Sequence, residues 1–254
     1  MTKIHHLRNA TMVIETNNEV LLVDPMLGKK GTLPTFTYFK HKAQKNPITE
    51  LPENSYEILE KVTHCLITHK HPDHLDKKGE EFLIKKNIPV TCSYKDEKEF
   101  KKRGLNIVNS IFYNDRVPFL GGEIEGISAR HGYGFIAKPM GNVMGFYIKL
   151  NNNDSIYLSA DTIYTDAVHQ VLTTYNPTLS IVAGGSAQLD FFKPLLMTVD
   201  DIKTFVKNAP QKVLINHLEA VNHCPTTRKE LNTIFSNDIN KTVFIPNDGD
   251  VVTI

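Results

Sequence analysis

Cysteine is scarce in this chain and forms no pattern. Cys65, Cys92 and Cys224 include no CxxC pair and leave one thiol over in any pairing scheme. A disulfide framework is thereby excluded, and reduced, buried thiols are expected. Long apolar runs are also missing: nothing approaches the ~18–20 residues of a membrane span. The opening MTKIHHLRNATMVIETNN lacks the apolar core of a signal peptide. Charge of one sign is not in excess, with 29 Lys and Arg against 28 Asp and Glu and a formal net charge of +1. No global field therefore favours nucleic acid or a membrane. Gly/Ser linkers, low-complexity tracts and repeats are absent as well. The expectation is one domain over residues 1–254, cytoplasmic, without nucleic-acid or membrane partners; a homo-oligomer is left open.

What is present reads as a folded chain, 41% hydrophobic and 22% charged. Short β-rich runs fall at residues 11–14 and 20–23, a hairpin turning at Asn17-Asn18, and then at 65–68 and 89–92. Others follow at 124–129, 142–150, 155–159, 179–183, 213–216, 242–245 and 251–254. Helical spacing of apolar residues marks 76–86, 96–102, 166–174 behind Thr165, 199–208 behind Thr198, and 226–235. Strands and helices mix without strict alternation, which predicts layered α/β structure with partly antiparallel sheets. Residues 28–52 carry several Pro and Gly and the aromatics Phe36, Tyr38 and Phe39. A loop that long is usually functional or poorly ordered.

The chemistry concentrates in CLITHKHPDHLD, where His69, His71, Asp73 and His74 follow a short apolar strand and Asp76 can begin a helix. A strand end followed by a loop can fan side chains toward one point. Imidazole and carboxylate suit zinc, manganese or iron. The plain alternative is a solvated His-rich loop.

This run resembles the signature of the metallo-β-lactamase superfamily, and the resemblance extends along the chain. MVIETNNEVLLVDPML is similar to that family's opening hairpin and its Leu-Val-Asp turn. Ala129-Arg130-His131, Ser159-Ala160-Asp161-Thr162 and Ile215-Asn216-His217 each end a strand where the family places further ligands. The resemblance implies a four-layer αββα sandwich of α/β class. It also implies two divalent ions, zinc or manganese: one held by His69, His71 and His131, a second by Asp73, His74 and His217, with Asp161 bridging both. Metal coordination can lower the pKa of a bound water to about 7. The implied reaction is attack of such a water on a carbonyl or phosphoryl centre, with Asp73 also orienting it.

Other residues carry weaker signals. In NHLEAVNHCPTTRKEL, His223 reads as a proton donor or substrate contact, or else as packing, and Arg228 as helix surface. Tyr133 and Tyr164 could contact substrate or pack in the core. Asp24, between an apolar strand and Pro25, should support the ligand loops by hydrogen bonds. His5, His6, His41, His64 and His169 read as packing or surface, His5 and His6 being the least securely dismissed.

Departures from known branches narrow the expected function. His71 stands where flavodiiron proteins carry glutamate, and Leu75 replaces the Gly-Gly of glyoxalase II. What remains is similar to the ascorbate-phosphate lactonase-like group: a metal-dependent hydrolase of an ester, lactone or phosphodiester bond in a small-molecule substrate. A nuclease or phosphodiesterase acting on nucleotides would be marked by a basic groove beside the metals. A noncatalytic metal-binding protein is the remaining alternative, disfavoured by a complete donor set with an accessible pocket.

Overall fold

In the computed structural model, which describes residues 1–16, 19–236 and 242–254, fourteen strands form two seven-stranded sheets. The first contains β1 (Lys3–Arg8), β2 (Thr11–Glu15), β3 (Val20–Val23), β4 (His64–Ile67), β5 (Pro89–Ser93), β6 (Asn106–Ile111) and β14 (Val251–Thr253), in the order β14-β1-β2-β3-β4-β5-β6. The second contains β7 (Arg116–Phe119), β8 (Gly122–Ser128), β9 (Met144–Lys149), β10 (Ser155–Leu158), β11 (Leu179–Ala183), β12 (Lys212–Asn216) and β13 (Val243–Phe244), in reverse chain order from β13 to β7. Each sheet is antiparallel on one side and parallel on the other. The expected turn at Asn17-Asn18 lies outside the described residues.

Period-two alternation assembles the layers. Met12, Ile14, Leu21, Val23 and Leu66 from the first sheet meet Met144, Phe146, Ile148, Ile156, Leu158 and Ile181 from the second in one buried cluster. The intervening residues Val13, Leu22, Cys65 and Ile67 face outward against α1 (Ser55–Glu60), α2 (Lys77–Lys85) and α3 (Glu97–Lys102). On the other side Tyr157, Val182, Val213 and Ile215 pack against α4 (Asp166–Gln170), α5 (Val199–Asn208) and α6 (Arg228–Phe235). The result is the expected αββα sandwich, with the cysteines as buried free thiols.

Several details differ from the sequence reading. β1, β6, β7 and α1 were not anticipated. α4 stops at Gln170 and runs on as a π-helical turn, Val171–Tyr175, closed by Asn176 at φ 53°. α6 begins two residues late because Thr227, whose hydroxyl accepts from the Glu230 N–H, caps it.

α2 matters for the site because it fixes the far end of the His-rich loop. Asp76 caps it by accepting from the Gly79 N–H, and the same carboxylate accepts from the Leu27 and Gly28 N–H groups. One side chain thus joins the turn after β3 to the loop after β4. Gly79 permits the approach, since a Cβ there would lie 1.9 Å from the Pro25 carbonyl oxygen. Gly79→Ala is therefore expected to cost about 1–3 kcal/mol through forced backbone shifts. Thermal unfolding should show a fall of about 2–4 °C per kcal/mol, and an unchanged midpoint would contradict this packing.

Candidate metal centre

Four strand ends supply the donors. β4 stops at Ile67 and the following loop carries His69, His71, Asp73 and His74; β8, β10 and β12 stop just short of His131, Asp161 and His217. All seven are buried except His71, which is half-buried. Asp161 Oδ2 lies 3.2 Å from His74 Nε2, 3.5 Å from His131 Nε2, 3.6 Å from His217 Nε2 and 4.0 Å from His69 Nε2. His69 Nε2 and His71 Nδ1 are 3.2 Å apart, as are His74 Nε2 and His217 Nε2, and His217 Nε2 lies 3.4 Å from Asp73 Oδ2. Three donor groups result: His69/His71/His131, His69/His74/Asp161 and Asp73/His74/His217.

The outer ring nitrogens of four of the five imidazoles are already committed. His74 Nδ1 bonds to Asp24 Oδ2 at 2.9 Å, and His131 Nδ1 to the Leu195 carbonyl at 3.1 Å. His69 Nδ1 lies 3.0 Å from the Thr68 hydroxyl, which itself donates to Asp24 Oδ2, so that hydroxyl accepts from the imidazole. His217 Nδ1 faces Cys224 Sγ at 3.5 Å. These partners place the N–H on the outer nitrogen and leave the inner lone pair free for a metal.

Neutral imidazoles so arranged would repel one another at 3.2 Å unless a cation lay between them. A four-coordinate ion with bonds of about 2.0–2.2 Å separates its ligand atoms by roughly 3.3–3.6 Å, close to the distances found. Asp161 Oδ1 is buried without a hydrogen-bond partner among the described residues, an orphan a metal would satisfy. Electrostatics divides the imidazoles into two kinds. Burial holds His69 well below its ordinary value, aided by His74 and His71, and holds His131 at about 4. At His74 burial opposes charge, yet Asp161 and Asp24 push it up to about 10; His217 is raised by Asp161 and Cys224 against the same penalty. The cluster calls for positive charge, and the donor set fits divalent metal.

Local backbone strain accompanies this convergence. Asn9, Asp24, Ala160 and His217 all have φ between 47° and 57°, a region that costs non-glycine residues of order 1–3 kcal/mol. Asn9 was not anticipated from sequence, where a lone asparagine in a turn carries no signal. Its carbonyl accepts from the His217 N–H at 2.9 Å, and its amide donates to the Asp73 carbonyl at 3.0 Å, tying donors from both sheets.

A cavity of about 350 Å³ opens over the donors, lined by His71, Asp73, His131 and Asp161 together with Thr35, Phe36, Met140, Leu189, Leu195 and His223. The segment 28–52 forms one wall and is pinned in place. Asn222 accepts from the Phe36 N–H and donates to the Thr35 hydroxyl and the Thr37 and Lys42 carbonyls. Asp190 accepts from the Thr37 hydroxyl and from the N–H groups of Tyr38, Phe39 and Lys40. Neither pin was visible in the sequence, because each acts across more than a hundred positions.

His223 is buried and meets the Phe36 ring edge-on at 5.1 Å. Its ring makes no hydrogen bond among the described residues, and burial lowers it to about 4. Tyr133 and Tyr164 are not brought to the cavity wall: Tyr133 donates to Asp201 at the cap of α5, and Tyr164 is bonded to Asn208 and His169. His5 pairs with Glu15, His6 with Asp248, and His64 with Thr91. Arg228 is no surface ornament, since it binds Asp248, Glu219 and the Pro246 carbonyl.

Residues 20–217 match the protein family described as the beta-lactamase superfamily domain. The chain belongs to that family. It is 33% identical to the UPF0173 protein YddR of Bacillus subtilis (strain 168), over 98% of this chain and 99% of the relative. Among solved structures it resembles a possible metal-dependent hydrolase from Veillonella parvula, with TM-score 0.91, 29% identity and full coverage of both chains. It also resembles the isothiocyanate hydrolase from Delia radicum gut bacteria, with TM-score 0.88, 25% identity and 99% coverage of each chain. With this donor set, it resembles the metal-dependent hydrolases of the metallo-β-lactamase fold.

Asp161→Asn should deplete metal at both the His131 and the His217 donor groups, whereas His131→Ala should empty mainly the first and His217→Ala mainly the second; elemental analysis giving equal losses for all three would contradict a bridging Asp161. Asp24→Ala, which frees the outer nitrogen of His74, should weaken metal affinity about 10–100-fold in a chelator competition, and undiminished affinity would remove Asp24 from the centre.

Proposed function

We propose that this hydrolase binds two divalent ions, zinc or manganese, and cleaves a small, uncharged, largely apolar substrate at an electrophilic carbon of ester, lactone or isothiocyanate type. The observation that carries this reading is the cavity wall. Phe36, Met140, Leu189 and Leu195 stand over the donor cluster, and no Lys or Arg is among the described lining residues. A phosphodiester would bring its negative charge into that space with no side-chain cation to meet it. The isothiocyanate hydrolase among the structural relatives supports a carbon electrophile as the target. A complete donor set beneath an open cavity weighs against a noncatalytic role.

His69, His71 and His131 would hold one ion, Asp73, His74 and His217 the other, and Asp161 would lie between. The ions supply Lewis acidity and an activated water near neutral pH. Burial works against the Asp73 charge, but the His217 contact and His74 keep it ionised, so it can accept a hydrogen bond from the attacking water and orient it. His223, neutral in its buried position, is better suited to hydrogen-bond a substrate heteroatom than to store a proton. The edge-on Phe36 ring keeps that imidazole facing the cavity.

The test is a panel assay after loading with zinc or manganese: aryl esters, γ- and δ-lactones, phenylethyl isothiocyanate and a bis-aryl phosphate. Turnover should favour the apolar carbon electrophiles, and preference for the phosphodiester would overturn the reading. His223→Ala should keep both metals and lower the rate by roughly 10²-fold. Loss of metal in that variant would make His223 a ligand, and an unchanged rate would remove it from the reaction.

A further inference from the structure

The cavity mouth is built from three segments, 29–49, 129–142 and 184–195, and their surface is unlike the rest of the molecule. Phe135 is 96% exposed, Phe191 83% and Phe39 79%, with Tyr38 and Phe192 exposed beside them. The segments adjoin one another: the Phe39 and Phe191 rings are 5.9 Å apart, the Tyr133 N–H donates to the Pro194 carbonyl at 3.0 Å, and a Cβ at Gly134 would lie 3.7 Å from the Lys193 side chain. They also carry five lysines between Lys29 and Lys45, together with Arg130, Lys138 and Lys193, all exposed. Their one acid, Asp190, is spent on the backbone of residues 37–40.

None of these eight cations forms an ion pair among the described residues. Elsewhere some exposed lysines stand alone as well, but Lys61, Lys70, Lys78, Lys101 and Lys203 each hold a neighbouring carboxylate, which no cation of the mouth does. The net charge of +1 therefore hides a locally basic, aromatic-tipped face around the pocket.

We propose that this face docks on an anionic lipid surface, the phenylalanine tips entering the apolar boundary and the lysines meeting the headgroups, so that the cavity opens toward the membrane from which an apolar substrate is drawn. No helix of the described residues is long and apolar enough to cross a membrane, and docking needs none. Exposed phenylalanines beside unpaired lysines are the combination that binds an interface, where apolar burial and attraction to anionic lipid add. A second copy of the chain fits poorly, because apposing two such faces sets like charges against each other. Nucleic acid would be met along a basic groove with flat stacking platforms; here the aromatics are loop tips, and the apolar character continues inward to Phe36, Met140 and Leu189. The inference is independent of which bond the enzyme cleaves.

The experiment is co-sedimentation of the metal-loaded protein with phosphatidylcholine vesicles, with and without phosphatidylglycerol. Binding should require phosphatidylglycerol and weaken as salt rises. It should fall at least about tenfold in Phe135→Ser/Phe191→Ser and, separately, in Lys40→Glu/Lys42→Glu, while metal content and thermal unfolding stay unchanged in both. Failure to bind either vesicle would overturn the proposal, as would binding that survives both double substitutions. So would a dimer dissolved by Phe135→Ser/Phe191→Ser, or tighter binding to a single-stranded oligothymidylate than to the vesicles. Because the readout is adsorption, it separates this proposal from the choice of substrate.

Discussion

The centre depends on one buried carboxylate. Asp24 accepts from the Thr68 N–H at 2.8 Å, the Thr68 hydroxyl at 2.7 Å and His74 Nδ1 at 2.9 Å. Through these bonds it fixes the exit of β4, the tautomer of His74 and, by way of Thr68, the tautomer of His69. Its own carbonyl accepts from the Thr11 hydroxyl, so the anchor is held in turn by the start of β2. Asp24 sits at φ 47°, a conformation glycine would adopt without strain. Glycine has no carboxylate, however, and the same conflict arises at His217, at φ 57°. The strain belongs where a side chain is required at a backbone position that would otherwise suit glycine, and the sheet pairing around it offsets the cost.

The convergence of these side chains was legible in the sequence because metal chemistry restricts residue type and β-structure restricts position. A strand end can present only a few side chains to one point, so His69, His71, Asp73 and His74 had to be close in sequence, and His131, Asp161 and His217 had to follow apolar runs. The two-sheet architecture was legible for the same reason, since Val13 and Leu22 alternate with Met12, Ile14, Leu21 and Val23 between two buried faces. The missed elements lack such a restriction. β6 and β7 are edge strands, only part-buried, and β7 includes Pro118, which an edge tolerates. β1 reads as polar because His6 and Arg8 are buried in it alongside Ile4 and Leu7. Tyr133 and Tyr164 lay near ligands in sequence, but sequence proximity does not decide where a hydroxyl finds its partner.

The segment 28–52 shows what composition cannot carry. Prolines, glycines and exposed aromatics are compatible with a mobile lid and with a fixed wall, and the difference lies in residues far away. Arg8, fully buried, donates to the Met26, Gly28 and Thr49 carbonyls and so clasps both ends of the segment. Asn222 holds its middle and Asp190 its tip. Buried polar groups with several bonds each are costly to open, so the wall carrying Phe36 is preformed. Its shape is available before the substrate arrives, which reduces the ordering cost of binding.

That rigidity bears on how selectivity arises. Asn222 precedes His223 in the chain, and Phe36, positioned by Asn222, contacts the His223 ring. The wall and the neutral imidazole therefore move together or not at all. A substrate wide enough to displace Phe36 would also disturb the His223 ring, whereas one that fits the wall would find that ring already oriented. Discrimination by apolar contact alone is weak, about 1–3 kcal/mol per methylene. Tying the apolar wall to a polar contact makes misfit cost both terms, so a cavity of modest size with few polar groups can still reject molecules that resemble its substrate.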